Sequence, residues 1–283
     1  MRKNRQNSRT IIYTDLDGAF LDERNYSFFD SLPALRAAQE RGIPVVFCSS
    51  KTRAEIEHIR KAAEVTDPFI VENGGAIYVP VGYFPFAIEG IVLSEGNEVI
   101  EIGDPYAKII ALFRLCRAEF PGLGIIGFSD LTIKEIALEC GLTLAEAQRA
   151  KDRKYSEPFR FSNATLEDIR MFLQKIRQAG LRFSAGGRYY HLQGKFDKGL
   201  SVKILNEMFY RAYGPITTVG IGDSPNDLPM LSSVELPIVV KRPSGNHDPG
   251  LTAQFSGMRL TERIGPSGWA DAVMQLLNEN GEN

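Results

Sequence analysis

The sequence contains few cysteines, little net charge and no long apolar run. Its 283 residues include three cysteines, an odd number in apolar contexts, which predicts buried free thiols in a reducing cytoplasm. The net charge of −2 argues against a nucleic-acid binder and against a polybasic membrane binder. No apolar run approaches the length of a membrane span. The apolar run 11–13, after a basic start, is too short for a signal peptide, and Asp15 and Asp17 interrupt it.

What the sequence does contain is typical of a folded α/β protein. Apolar residues make up 43% of the chain and charged residues 24%. Short apolar runs alternate with amphipathic stretches, which predicts βαβ units and a parallel sheet flanked by helices. The predicted buried strands are 11–13, 43–48, 69–71, 217–221 and 236–240.

The sequence texture changes between about residues 85 and 194. Strand-like and helix-like segments there no longer alternate regularly, so this block is interpreted as an inserted α+β domain. We therefore expect a core domain made of residues 1–84 and 195–283, and a second domain made of residues 85–194. The basic run from Arg149 to Lys154 is interpreted as a solvated helix end that the helix dipole favours.

Two carboxylates two residues apart follow the first predicted strand, in Thr14-Asp15-Leu16-Asp17-Gly18. In a strand, residues i and i+2 face the same way, so both acids leave its end on one side. Like charges this close are costly to bury unless a cation lies between them, which favours Mg²⁺ held by oxygen ligands. The same letters also occur in ordinary turns, because Asp and Gly favour turn conformations.

Three polar clusters are predicted at one edge of the sheet. Each cluster follows a predicted buried strand. The three clusters are Asp15 with Asp17, Ser49 with Lys51, and Asp223 with Asp227. The carboxyl ends of the strands in an open α/β sheet are where ligands bind. The sequence therefore predicts a catalytic site at this edge.

The residue types in these clusters suit phosphoryl transfer. Asp15 is predicted as the nucleophile that forms an aspartyl-phosphate, and Asp17 as the general acid and base. Lys198, at a helix start, and Ser49 with the N–H of Ser50 are expected to stabilise the phosphoryl oxygens. The predicted metal ligands are Asp15, Asp17, Asp223 and Asp227. Asn226, together with Asp227, is also expected to hold the ion or its waters from the second layer of contacts.

These motifs resemble those of the haloacid dehalogenase superfamily of aspartate-nucleophile phosphatases. The match covers four motifs, at Asp15/Asp17, Ser49, Lys198 and Asp223/Asp227. The resemblance implies a Rossmann-like core, Mg²⁺ dependence and an inserted cap domain of the C2 type. One departure is Ala19, because the first motif usually ends in Thr. The side-chain hydroxyl is lost, although the backbone role can survive, and the expected reaction type is unchanged.

A narrower resemblance points to the mannosyl-3-phosphoglycerate phosphatases. It rests on Phe47–Glu55, Pro68–Tyr78, Ser156–Phe159 and Gly186–His191, which span core and cap. It implies hydrolysis of 2-O-mannosyl-3-phosphoglycerate to mannosylglycerate, a compatible solute. Whether the sugar is mannose or glucose depends on the orientation of one hydroxyl and stays open, as does the oligomeric state.

The cap must then supply groups for the sugar and for the carboxylate of such a substrate. The candidate substrate-binding residues are Ser50, Lys51, Glu157, Arg160, Gly187, Arg188, His191 and Asn226. Gly186-Gly187 would let the backbone approach a ligand closely, although the same pair is typical of a hairpin turn. A purely structural ion pair between Glu157 and Arg160 is the alternative for those two residues.

Three functions remain open from the sequence. The first is a Mg²⁺-dependent phosphatase acting on a glycosylated phosphoglycerate, with a small phosphorylated sugar as ligand and no nucleic-acid or membrane partner. The second is a broader sugar-phosphate or nucleotide phosphatase, or a phosphomutase. The third is a catalytically inactive phospho-sugar sensor; the presence of Asp15, Asp17, Lys198 and Asp223 together argues against it.

Overall fold

The structure is a computed structural model that describes residues 8–185, 189–254 and 257–281. The strands are β1 (Arg9–Thr14), β2 (Val45–Cys48), β3 (Phe69–Val71), β4 (Ala76–Pro80), β5 (Val92–Ser94), β6 (Asn97–Glu101), β7 (Ile125–Gly127), β8 (Ser156–Phe161), β9 (Arg182–Ala185), β10 (Tyr190–Gln193), β11 (Ile216–Gly222), β12 (Leu236–Lys241) and β13 (Arg259–Ile264). The helices are α1 (Leu32–Glu40), α2 (Arg53–Ala63), α3 (Tyr106–Ala118), α4 (Ile133–Cys140), α5 (Leu144–Lys151), α6 (Leu166–Gln178), α7 (Lys198–Tyr213), α8 (Leu228–Leu231), α9 (Pro249–Thr252) and α10 (Gly265–Gly281).

A nine-stranded sheet forms the centre of the larger part of the molecule. Its order is β13-β12-β11-β1-β2-β3-β4-β6-β5, parallel from β13 to β3 and antiparallel from there on. β1 is buried on both faces, since Ile12 packs with α1, α2 and α10 while Ile11 and Tyr13 pack with α7. Burial on both faces is why the parallel strands are almost wholly apolar. The predicted α/β class is confirmed.

The two sheets divide the chain at a different place from the boundary predicted between residues 84 and 85. β5 and β6 form a hairpin that pairs with β4, so residues 92–101 belong to the nine-stranded sheet. Their antiparallel pairing explains why the sequence texture changes before the cap begins. We call residues 106–193 the cap unit and the elements around the nine-stranded sheet the core unit.

The cap unit is built on a four-stranded antiparallel sheet, in the order β7-β8-β10-β9. Helices α3 and α6 cover one face with an apolar layer that includes Phe113, Phe159, Phe172 and Leu192. Helices α4 and α5 begin with capping boxes, at Thr132 and Thr143. This α+β arrangement confirms the predicted type of insertion.

Two remaining expectations concern the thiols and membranes. Cys48 and Cys116 are buried free thiols, whereas Cys140 is only half-buried. Within the described part of the chain, no helix combines the length and the apolar character that crossing a bilayer requires.

Candidate active site

The three predicted clusters meet at one edge of the core sheet. β1 lies between β11 and β2, with Thr14 in register with Ile221 on one side and with Phe47 on the other. Because the three strands are parallel, the residues that follow them emerge side by side. Asp15, Ser49 and Asp223 are these residues, and all three are buried.

Three carboxylates and one ammonium form the centre of the site. Oxygens of Asp15, Asp223 and Asp227 all lie within 4.8 Å of one another. The Lys198 ammonium, at the start of α7, donates to Asp15 at 2.5 Å and to Asp227 at 2.7 Å. Asp227 also accepts the backbone N–H groups of Asp223, at 3.0 Å, and Ser224, at 3.1 Å. Asp227 is therefore held from three sides, whereas Asp15 keeps an oxygen for chemistry.

The electrostatics of this cluster call for a further positive charge. Burial, and then the negative charge of Asp227, raise the pKa of Asp15 to about 7 although Lys198 opposes the shift. Burial and the charges of Asp227 and Asp15 likewise raise the pKa of Asp223. Asp223 Oδ1 is buried and has no hydrogen-bond partner among the described residues. Such an orphaned oxygen beside two other carboxylates fits a hard divalent cation.

Gly18 is the residue that lets the first loop approach this cluster. Its φ of +77° lies in the left-handed region, and a Cβ there would lie 2.9 Å from Asp223 Oδ2. A side chain at this position would therefore occupy space beside the candidate metal ligands. The Asp-Gly turn thus serves the packing of the site.

The Asp17 side chain stands apart from the three clustered acids. It pairs with the Lys51 ammonium at 2.9 Å, and that ammonium also lies 4.7 Å from the ring centre of Tyr26. Despite burial, the charges of Asp17 and Glu55 raise the pKa of Lys51. The structure thus brings Asp17 and Lys51 to the rim of the site, while the predicted metal role of the Asp17 side chain and the substrate role of Lys51 stay predictions.

The loop after β2 presents groups suited to hold a phosphate. Ser49 Oγ accepts the N–H of Lys51 at 3.2 Å, so its own proton remains to be donated. The Ser49 carbonyl accepts the N–H of Asn73 at 2.9 Å. Asn73 also accepts a hydrogen bond from the Asn226 amide at 3.3 Å. Asn226 therefore lies near the site, next to Asp227, and contacts protein groups there.

The predicted cap residues fall on two different faces of the cap sheet. Glu157 is paired with Leu192 and lies on the face covered by α3, where it accepts bonds from Tyr106 Oη at 2.6 Å and from Ser129. Burial raises the pKa of this carboxyl despite those bonds. Arg160 lies on the other face and pairs with Glu139. The alternative of a Glu157–Arg160 ion pair is therefore wrong.

His191 lies on the face of the cap sheet opposite to α3, together with its paired neighbours Pro158 and Ser184. Burial, and then the positive charges of Arg153, Lys198 and Lys51, lower the pKa of its imidazole to about 3, so the ring is neutral. Its buried Nδ1 lacks a hydrogen-bond partner among the residues that the structure describes. Its paired neighbour Ser184 lies 3.5 Å from the Asn73 amide beside the core site, so this face of the cap sheet is turned towards that site. Gly187 and Arg188 lie outside the described residues.

Three charged residues near the site were missed from the sequence. Arg242 follows β12 at the same sheet edge, and its Nε lies 3.4 Å from Asp223 Oδ2. Glu72 follows β3 and is buried. The positions of both after apolar strands were a usable signal. The interpretation of Arg153 as a solvated residue is wrong, because its side chain is 3% exposed and contacts the loop after β2.

Comparison with known proteins identifies the relatives of this chain. Residues 12–87 match the family model of haloacid dehalogenase-like hydrolases. A glucosyl-3-phosphoglycerate/mannosyl-3-phosphoglycerate phosphatase of Methanococcoides burtonii is 39% identical over 95% of this chain and 98% of its own length. A mannosyl-3-phosphoglycerate phosphatase of Pyrococcus horikoshii is 32% identical over 81% and 90% of the two chains.

Solved structures agree on the fold. A Thermoplasma acidophilum protein superposes with a TM-score of 0.66 at 16% identity, covering 97% of this chain and 99% of its own. The HAD subclass IIB sugar phosphatase BT4131 gives a TM-score of 0.63 at 16% identity, covering 94% and 98%. The full-length relatives and the family match together lead to one conclusion: this chain belongs to the haloacid dehalogenase-like hydrolases and is a phosphoric monoester hydrolase.

Proposed function

We propose that the protein hydrolyses 2-O-mannosyl-3-phosphoglycerate to mannosylglycerate and phosphate, in the cytoplasm, with Mg²⁺ as cofactor. The observation that carries the proposal is the contact of Lys198 with both Asp15 and Asp227, beside Asp223 and at the sheet edge where Ser49 follows β2. Relatives that share most of their length with this chain and are named for this reaction support the choice of substrate.

The glucosyl analogue is proposed as a second substrate. The relative from Methanococcoides burtonii and another from Persephonella marina, 36% identical over 95% of this chain, both carry the glucosyl and the mannosyl name. The two sugars differ in the orientation of one hydroxyl, so one polar contact decides between them. The neutral ring of His191, with its unpartnered Nδ1, is our candidate for a hydrogen bond to the sugar. The other cap and rim candidates, Arg160, Gly187, Arg188 and Lys51, stay proposals.

In the proposed mechanism, Asp15 attacks phosphorus and forms an aspartyl-phosphate, while Asp17 protonates the leaving oxygen of the substrate. Asp17 then removes a proton from the water that hydrolyses the intermediate. Lys198 holds Asp15 in place and balances part of its charge, and the Ser49 hydroxyl with the N–H of Ser50 holds the phosphoryl oxygens. Asp15, Asp223 and Asp227 would hold the Mg²⁺, which supplies positive charge to the transferred phosphoryl group.

The test is phosphate release from a panel of substrates in the presence of Mg²⁺. The panel contains mannosyl- and glucosyl-3-phosphoglycerate, 3-phosphoglycerate, several hexose phosphates and an aryl phosphate. We expect kcat/KM to be highest for the two glycosylated compounds and Asp15→Asn to remove turnover of all of them. A hexose phosphate preferred over both would refute the proposed substrate, and aryl phosphate hydrolysis would exclude the sensor.

A further inference from the structure

The turn after β3 connects three parts of the molecule that the proposed reaction needs. Glu72 and Asn73 both have left-handed backbones, with φ of 47° and 59°, which is uncommon for residues other than glycine. The N–H of Glu72 donates to the Lys51 carbonyl and the N–H of Asn73 to the Ser49 carbonyl, each at 2.9 Å. The unusual backbone of the turn thus lets it support the loop that would hold the phosphate.

The side chain of Glu72 reaches from this turn into the cap unit. Its carboxylate accepts the backbone N–H groups of Lys154 at 2.8 Å, Tyr155 at 3.0 Å and Ser156 at 2.9 Å. The Ser156 hydroxyl donates to it as well, at 2.9 Å. Four donors around one buried carboxylate fasten the start of β8 to the core unit.

Arg153 extends the same connection back to the phosphate loop. Its guanidinium lies 3.5 Å from Glu72. Its Nε donates to the Ser156 carbonyl at 2.9 Å, and its Nη2 donates to the Ser156 hydroxyl at 2.7 Å. The same Nη2 donates to the Ser50 carbonyl at 2.9 Å. The side chains of Arg153 and Glu72 are 3% and 2% exposed, so these bonds are shielded from water.

Both peptide groups that flank Ser50 are therefore held from outside the loop. The peptide before it is fixed through the Ser49 carbonyl by Asn73, and the peptide after it through the Ser50 carbonyl by Arg153. The second peptide also directs the N–H of Lys51 to Ser49 Oγ, which orients that hydroxyl. The two phosphate-binding donors, Ser50 N–H and Ser49 Oγ–H, owe their direction to these contacts.

We propose that Glu72 and Arg153 are positioning residues for the proposed reaction: through the Ser50 carbonyl, the docked cap orients the groups that hold the phosphate. The inference rests on the proposed function, since it takes the loop 49–51 as the phosphate site. It assigns Arg153 an effect on the phosphate and not on the sugar. Every phosphomonoester should therefore depend on it equally, whatever its leaving group.

The main test is Arg153→Met in the full-length protein, with Mg²⁺ present. The matched control is Arg117→Met, because Arg117 also joins an acidic side chain, Asp130, to a backbone carbonyl, that of Ile125, within the cap unit alone. We expect kcat/KM of Arg153→Met to fall on the order of tenfold, by the same factor for mannosyl-3-phosphoglycerate and for an aryl phosphate. Arg117→Met should change neither substrate by more than about twofold.

A second readout does not depend on activity. Hydrogen exchange measured on peptides that cover residues 49–53 should become faster in Arg153→Met and stay unchanged in Arg117→Met. If the wild-type protein hydrolysed neither substrate, the proposed function would fail, while this comparison would still decide whether Arg153 orders the loop. Ser156→Ala, a mild change that removes the hydroxyl between Arg153 and Glu72, should shift both readouts in the same direction by a smaller factor.

Three results would overturn the inference. One is unchanged kinetics and unchanged exchange in Arg153→Met. Another is a loss confined to the glycosylated substrate, which would mean that Arg153 acts on the sugar. The third applies if Arg153→Met does not fold: unchanged exchange and unchanged kcat/KM in Ser156→Ala would then show that the network has a structural role only.

Discussion

Replacing Asp15 by Asn should remove turnover and at the same time stabilise the metal-free protein. The side chain is buried with Asp227 and Asp223, and the Lys198 ammonium lies between Asp15 and Asp227. Asn keeps an oxygen that Lys198 can donate to, but it carries no charge. The substitution therefore removes repulsion between Asp15 and the neighbouring carboxylates. This repulsion lowers the stability of the wild-type protein, but the charge that causes it is needed for the proposed catalysis.

The size and sign of this effect follow from the pKa of Asp15, which burial and then Asp227 raise from 3.8 to about 7. The folded protein holds this proton more tightly than the unfolded chain does. Stability from this group is therefore fully present below about pH 4 and is lost as the pH rises through about 7. At about 1.36 kcal/mol per pKa unit, three units set an upper limit on the order of 4 kcal/mol, and the uncharged amide of the Asp15→Asn variant escapes this loss.

The assay is urea unfolding of wild-type and Asp15→Asn protein with a metal chelator, at about pH 8 and at about pH 5. We expect the variant to have the larger free energy of unfolding at the higher pH and the difference to shrink at the lower one. Asp130→Asn is the control of opposite sign: burial opposes the shift, but bonds from Arg117 and Gly127 lower the pKa of Asp130, so its loss should destabilise. A variant less stable than wild type at about pH 8 would refute the reasoning.

Three shorter predictions concern metal binding, the hydrogen bond to Thr14 beside the nucleophile, and the contact between the core residue Gly75 and the cap residue Tyr155. Mg²⁺ at about a hundred times its Kd should raise the free energy of unfolding by about 2.7 kcal/mol, and Asp223→Ala should abolish this gain in a thermal unfolding assay. Trp269→Phe removes the 2.8 Å bond from the indole N–H to Thr14 Oγ1 and should cost about 1 kcal/mol in urea unfolding. In Gly75→Ala, the new methyl group would lie 2.4 Å from the Tyr155 Cβ, so we expect a loss of about 1–3 kcal/mol in the same assay.

The site residues at the edge of the core sheet could be predicted, because only the order of the strands and helices along the chain is needed for that prediction. Apolar runs predict buried parallel strands, and the residues that follow adjacent strands must meet. That logic brings Asp15, Ser49 and Asp223 together without any knowledge of side-chain contacts. It could not predict that the Asp17 side chain pairs with Lys51, because that contact depends on distances of a few ångströms.

In the cap, a prediction from residue types alone is misleading, because residue types do not show on which face of the sheet a side chain lies. Glu157 and Arg160 are three residues apart on β8, and side chains in a strand alternate between its faces, so they point to opposite sides of the cap sheet. The face that carries Arg160, His191 and Ser184 is turned towards the core, as the contact of Ser184 with Asn73 at 3.5 Å shows. Strand parity alone therefore rules out that both members of the pair face a substrate, but the pairing of Glu157 with Leu192 decides which one turns away. We therefore expect substrate selection by this cap to come from the face that carries His191, while the buried carboxylate of Glu157 holds α3 and Ser129 to the sheet behind it.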